Sequence, residues 1–420
     1  MRVELLAIGT ELLLGDLTNT NAAWLGRRLA EIGVDVTTSV VVGDNAARIA
    51  EAVSAGLGRA DAVLCTGGLG PTQDDLTRLG LASAAGVALF RDERLADELR
   101  GRYAALGRVM PEMNLSQADL PTGATALPNA AGTAPGVRLE LLGGVVYALP
   151  GVPHEMEAMF LASVRPDLLS RGQPAAIVSR TLRTVGRYES AVAELLGDLD
   201  RELEPAGNPT LAYLAGGGQV RVRITAKAGT REEAQRLIAP VEIRVRAALG
   251  DAVYGADDDT LEGVVHAALR GRAATVAVAE SLTGGLLGAL LTDAPGASQT
   301  FRGGFIVYAT DLKAGLAGVP QPLLDAHGPV SPQVAAAMAA GVRDRLSATY
   351  GLALTGVAGP DPQDGRPPGT VYIGLAGPEA GEVRELRLPG DRARVRRYAA
   401  IAALDLLRRE LTRPAAHPGR

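Results

Sequence analysis

Only one cysteine, Cys65, stands among 420 residues, which excludes an internal disulfide and any multi-thiolate metal site within one chain. That usage fits a reducing cytoplasm. Histidine is scarce too: His154, His266, His327 and His417 lie far apart and show no H-x-x-x-H or His/Cys spacing, which disfavours a zinc enzyme. Aromatic residues make up 3%, so the cores must be built from Ala, Val and Leu, and the few aromatics such as Trp24, Tyr308 and Tyr372 stand out. No apolar run approaches the ~20 residues needed to span a bilayer, and the opening MRVELLAIGTELLLGD is interrupted by charge within a few residues. Neither a signal peptide nor a membrane segment is predicted. Positive charge is not in excess either: 42 basic against 47 acidic side chains leave a net charge of −5, which offers no general footprint for nucleic acid or anionic lipid.

What is present is an apolar share of 47% punctuated by 52 Gly and 25 Pro, the composition of a globular, loop-rich protein. The length exceeds one ordinary core, so two or three domains are expected. Over residues 1–170 the apolar run VELLAI stops at Gly9-Thr10 and is followed by helical spacing of Trp24, Leu25, Leu29 and Ile32. The pattern recurs with VTTSVVVGD, a helix near 46–58 and the strand and Gly-rich loop ADAVLCTGGLGPTQDD. A closing strand, VVYALPGVP, precedes a break at RGQP. Such alternation predicts a parallel sheet with helices on both faces.

Residues 175–255 change texture to a small α+β module, with a strand pair around a Gly216-Gly217-Gly218 turn and two helices. Asp257-Asp258-Asp259-Thr260 then supplies a polar linker and a helix N-cap. Over 258–412 the runs ATVAVAES, GGFIVYAT, YGLALTGVAG and GTVYIGLAG alternate with Ala-rich helices, which predicts a second layered α/β domain.

Four loops of this last domain carry polar residues where the strand pattern stops, the place where α/β folds put their chemistry. In the first, Glu280-Ser281-Leu282-Thr283-Gly284-Gly285 follows a strand and opens a helix, so an anion would fit its positive end; an ordinary capped turn reads the same way. Ser298, Tyr308 and Lys313 are more informative. A serine hydroxyl needs a neighbouring base, and a lysine desolvated in an apolar pocket can become one. Spacing does not show whether these three side chains meet, and Lys313 as a solvated helix-start residue fits equally.

The order AESLTGG, PGAS, GGFIVYATDLK, LTGVAGPD, PPGTVYIGL and Gly390-Asp391-Arg392 resembles the nicotinamide-nucleotide amidase domain of the competence/damage-inducible protein CinA family. The resemblance implies hydrolysis of nicotinamide mononucleotide to nicotinic acid mononucleotide and ammonia, without a metal. It implies Ser298 as nucleophile, assisted by Tyr308 and Lys313. It also implies nucleotide contacts from Ser281, Thr283, Gly284, Gly285, Thr355, Gly356 and Arg392, with glycine-loop amides holding the oxyanion. Arg392 is equally one charge of the helix-start cluster DRARVRR. Leu282 stands where the family often has cysteine, which rules out a thiol nucleophile there.

In the first domain, Gly67-Gly68-Leu69-Gly70-Pro71-Thr72-Gln73-Asp74-Asp75 lets backbone approach phosphates and sets two carboxylates where Mg²⁺ could join them; an acidic helix start explains the aspartates equally. IGTELLLGDLTNTN, TGGLGPTQDDLT and LPGVPHEM resemble the molybdopterin-binding-like, three-layer α/β domain of the same family. That implies a metal-dependent pyrophosphatase acting on ADP-ribose or a related diphosphate. Asp74 and Asp75 become metal candidates, and Glu11, Asp16, Asn21, Gly68, Gly70 and Thr72 ligand contacts. His154 either faces that pocket or caps the helix near Glu155. The middle module resembles a K-homology-like domain but lacks the G-x-x-G clamp needed for RNA, so it is expected to be a spacer or dimer element. A homodimer is implied. Two rival readings remain: a molybdenum-cofactor biosynthesis protein, and a non-enzymatic recruitment factor in DNA uptake or repair.

Overall fold

The alternating strands and helices resolve into three main sheets in a computed structural model that describes residues 1–105, 107–172, 175–379 and 381–413. Gln173 and Pro174 of the RGQP break, and His417, lie outside the described residues. The chain divides into two compact units, 1–178 with 226–237 and 179–225 with 238–420.

The amino-terminal strands are β1 (Arg2–Ile8), β2 (Asp35–Val42), β3 (Ala62–Thr66), a short ribbon of β4 (Leu89–Arg91) with β5 (Asp119–Pro121), β6 (Thr125–Leu127), β7 (Gly136–Leu141) and β8 (Gly144–Leu149). The main sheet runs β2-β1-β3-β8-β7-β6. Its first four strands are parallel, but β7 is antiparallel to both neighbours, so the sheet is mixed rather than all parallel. The cause is local. Only Leu142 and Gly143 separate β7 from β8, both at positive φ, and a two-residue connection with that backbone closes a hairpin and nothing else. β1 sends Val3 and Leu5 to one core and Leu6 and Ile8 to another, so helices cover both faces and three layers result. Trp24 packs edge-on against Phe160 at 5.5 Å in one of these layers.

The middle module is a four-stranded sheet in the order β10-β11-β9-β12, from β9 (Ala176–Val185), β10 (Thr210–Gly216), β11 (Gln219–Ala228) and β12 (Val253–Ala256). Its helices span Glu189–Leu203 and Arg231–Leu249. Thr260 caps the next helix, accepting from the Gly263 amide at 3.1 Å.

The carboxy-terminal sheet runs β14-β13-β15-β16-β17, with β13 (Val276–Glu280), β14 (Phe301–Ile306), β15 (Tyr350–Gly356), β16 (Thr370–Ala376) and β17 (Gly381–Arg387). β13, β14 and β15 are parallel, whereas β16 and β17 return antiparallel. β17, GEVRELR, escaped the sequence reading because an edge strand with half its faces in water needs no apolar run. Helices 261–271, 286–293 and 392–412 cover Val276, Val278 and Leu352, while helix 332–345 covers Ala277, Ala279 and Ala353.

Candidate active site

Because β13, β14 and β15 are parallel, the segments that leave them emerge at one end of the sheet: 281–285, 307–313 and 357–369. The first is set by Glu280, whose buried carboxylate accepts from the amides of Gly285 at 3.0 Å, Leu287 at 3.0 Å and Gly288 at 2.8 Å. An anion does sit at the start of helix 286–293, and it is the chain's own. Gly284 donates to Ser281 O, and Leu286 to Thr283 O, so the glycine amides are already committed. Among the described residues, the amides of Leu282 and Thr283 remain this turn's donors without a partner.

Ser281 opens that turn, and Lys313, from the helix Thr310–Gly315 that follows β14, reaches it. Lys313 Nζ donates to Ser281 Oγ at 3.1 Å and to the Val307 carbonyl at 3.2 Å. Lys313 is 2% exposed. Burial pulls its pKa down to about 8, with only Asp364 opposing. A lysine in that state is a base near neutrality, in hydrogen-bond contact with a hydroxyl.

Ser298 does not join them. It lies exposed in the short turn Ala297–Gln299 that leads into β14, whereas Lys313 lies beyond that strand's other end. Six residues of strand span about 17 Å. The expected meeting of Ser298 with Lys313 is therefore corrected: residues entering and leaving one strand occupy opposite ends of a parallel sheet. The serine that Lys313 reaches is Ser281. The available signal was that Ser281, like Lys313, follows a strand, while Ser298 precedes one.

Around the pair, the Tyr308 hydroxyl accepts from Arg392 Nη2 at 2.9 Å, and Arg392 Nη1 donates to Gly359 O at 2.9 Å, so this guanidinium ties the second and third loops together. Arg396, one turn along the same helix, donates to Thr283 O at 2.7 Å; sequence reasoning passed it over as one more arginine of DRARVRR. Thr283 Oγ1 is buried without a partner among the described residues. Thr355 is not a ligand contact as placed, since it is fully buried and donates to Pro329 O at 2.7 Å. Gly356 serves packing, for a Cβ there would run into the Thr370 carbonyl.

The amino-terminal unit carries a cleft of about 750 Å³ at the carboxyl ends of its parallel strands. Glu11, Asn21, Gly68, Gly70, Asp74 and Asp75 line it; Asp16 and Thr72 do not. Gly67, at φ 103°, holds the loop where a Cβ would collide with the Ile8 carbonyl. Asp75 is spent on the loop itself, accepting from the Gly70 and Thr72 amides at 2.8 Å each and from the Thr72 hydroxyl. Thr72 also holds the Asp74 carboxyl below its usual range. The Asp74–Asp75 pair therefore does not fit a metal held between two carboxylates, and no cluster of three metal-ligating side chains occurs among the described residues. Arg78, missed by the sequence reading, lies buried beneath the loop and donates to the Leu69 and Gly70 carbonyls. Gln117 and Asp44 were also missed. Gln117 Oε1 and Asn21 Oδ1 are buried, lack partners among the described residues and belong to cleft-lining residues. His154 is exposed, lies outside the cleft lining and leaves the cap position to Val152.

Three family descriptions cover the chain in order: "Probable molybdopterin binding domain" over residues 4–170, "Damage-inducible protein CinA KH domain" over 179–255 and "CinA C-terminal domain" over 258–411. A CinA-like protein of Frankia casuarinae is 61% identical over 417 residues, covering 98% of this chain and 96% of that one. A CinA-like protein of Gloeobacter violaceus is 47% identical, covering 97% and 96%. Among solved structures, the protein CinA with unknown function from Thermoplasma acidophilum is 36% identical, covers 39% of this chain and 96% of that chain, and superposes with a TM-score of 0.37. No helix among the described residues is long and apolar enough to cross a membrane. With three matched domains in sequence and full-length relatives at this identity, the chain belongs to the CinA family.

Proposed function

We propose that the carboxy-terminal domain hydrolyses the carboxamide of nicotinamide mononucleotide, releasing ammonia and nicotinic acid mononucleotide, with Ser281 as nucleophile and Lys313 as base. The observation that carries this reading is the 3.1 Å contact between Ser281 Oγ and a lysine nitrogen whose charge is disfavoured by burial. Neutral Lys313 takes the Ser281 proton as the oxygen bonds to the carboxamide carbon, then returns it to the departing nitrogen, which leaves as ammonia. Water attacks the resulting ester, giving a proton to Lys313 that passes back to Ser281 Oγ as the acid departs. The amides of Leu282 and Thr283 are the donors left for the oxyanion, a contribution of about 3 kcal/mol in comparable sites. Arg392, with Tyr308 beside it, would receive the nucleotide's phosphate.

The test is ammonia release from the mononucleotide by the full chain. Ser281→Ala and Lys313→Met are expected to lose at least about a hundredfold, and Ser298→Ala to retain the parent rate. Full activity in Ser281→Ala with normal folding refutes the assignment.

The amino-terminal cleft supports a second activity, cleavage of a nucleotide diphosphate such as ADP-ribose. Its support is the pair of unpartnered acceptors on Gln117 and Asn21, which suit the donor groups of a base or ribose. A divalent ion would have to come with the diphosphate, Asp74 being the carboxylate the loop leaves exposed. Release of AMP from ADP-ribose with and without Mg²⁺ tests it; pterin binding without either hydrolysis would favour a molybdenum-cofactor role. The homodimer belongs to the same reading, checked by light scattering.

A further inference from the structure

A cavity of about 630 Å³ lies where the turn after β9, the β10–β11 hairpin and the helix Arg392–Thr412 meet. Neither Ser281, Tyr308 nor Lys313 lines it. Its floor is apolar, from Val185, Val220, Ile373 and Ile401, all buried. Its rim carries Arg187, Arg384, Arg387 and Arg394 with Tyr188 and Tyr398.

The rim's charges are unevenly spent. Arg384 pairs with Glu382 and Arg387 with Glu385, while the lining carboxylate of Asp405 is held by Arg408 and Arg409. Arg394 donates to the Tyr398 hydroxyl at 2.9 Å and lies over its ring, without a carboxylate partner. Arg187 makes no ion pair or hydrogen bond among the described residues. Glu189, the other lining carboxylate, stands in the first turn of helix 189–203, where the helix end favours it. Two guanidiniums above an apolar floor thus make no ion pair among the described residues.

The tyrosines are equally specific. In a chain with 3% aromatics two of them share this mouth, and Tyr188 is 61% exposed, which leaves an aromatic face in water. The triple-glycine hairpin has its explanation here. Gly218, at φ 86°, presses against the Tyr398 ring, and a Cβ there would stand 2.9 Å from Cδ1. The backbone therefore braces that ring from one side.

We propose that this cavity binds a purine mononucleotide, its phosphate held by Arg187 and Arg394 and its base stacked on Tyr188 over the apolar floor. Guanidiniums match phosphate oxygens, aromatic faces match a purine, and the volume falls within the roughly 300–1,000 Å³ of small-molecule sites. The test is photolabelling of the full chain with 8-azido-AMP, followed by peptide mapping. Label is expected on peptides bearing Tyr188 or Tyr398, displaced by AMP and not by adenosine. Ser281→Ala should leave it unchanged, and Arg187→Glu with Arg394→Ala should reduce it at least tenfold; Tyr188→Ala, in an exposed turn, gives the same loss if the double variant misfolds. Absence of label from both peptides, or label there that is indifferent to the phosphate or to these substitutions, overturns the proposal.

Discussion

Lys313 Nζ meets Ser281 Oγ at 3.1 Å inside a site where the lysine is 2% exposed, and the nitrogen's other partner is a backbone carbonyl, that of Val307, rather than a carboxylate. Burial without a counter-ion is what makes an amine basic and uncharged at once. A carboxylate in contact would hold the proton on. Asp364 acts in that direction from a distance that leaves burial dominant.

The pH dependence follows from the sign of this shift. Burial disfavours the ammonium, so the competent neutral form grows as pH rises through about 8. The kcat for amide hydrolysis should climb roughly tenfold per pH unit below that value and level off above it. Asp364→Asn, by removing the one opposing charge, should move the limb to lower pH. A flat profile between pH 6 and 9 contradicts a lysine base.

Stability and activity should part at residue 313. The unfolded chain keeps the proton until near 10.5 and the folded chain releases it near 8, so the desolvation cost is carried in full below 8 and relieved between the two. That cost is about 3 kcal/mol, offset on removal by about 1–3 kcal/mol for the Val307 carbonyl left without its donor. Lys313→Met should therefore lose activity while its midpoint of thermal unfolding at pH 7 stays level or rises. A drop of several degrees would show that the amine is structural.

Arg392 bridges Tyr308 and the Gly359 carbonyl from the first turn of its helix. If this guanidinium receives the phosphate, Arg392→Ala should raise KM about tenfold with kcat within about threefold, and Arg392→Lys should recover little because an ammonium lacks the planar fork. Steady-state kinetics decide; a fall in kcat at constant KM would assign the residue to the chemical step.

Gln117 in the amino-terminal cleft holds a buried oxygen with no partner among the described residues. Gln117→Met removes an uncompensated polar atom at nearly constant volume. The variant should gain about 1 kcal/mol in stability and lose about tenfold in affinity for ADP-ribose, readable by denaturant unfolding and calorimetry. Unchanged affinity would mean that the oxygen does not face the ligand.

Much of this was legible along the chain because it is local. Periodicity placed the strands and helices, Thr260 announced its cap, and the glycine loops ending β3 and β13 pointed to the two candidate sites. The antiparallel β7 and the edge strand β17 were less visible: one depends on a two-residue turn, the other has no apolar run.

The sequence alone determined which residue types were available: a serine and a lysine, no thiol in the loop and no histidine cluster. Only the tertiary structure decided which serine the lysine meets. Ser281 is 32 residues from Lys313 and Ser298 is 15, yet the nearer in sequence is the farther in space. A strand carries the chain from one end of the sheet to the other, and a parallel arrangement gathers at one end whatever follows a strand. Spacing in the chain does not report that end; direction through the sheet does.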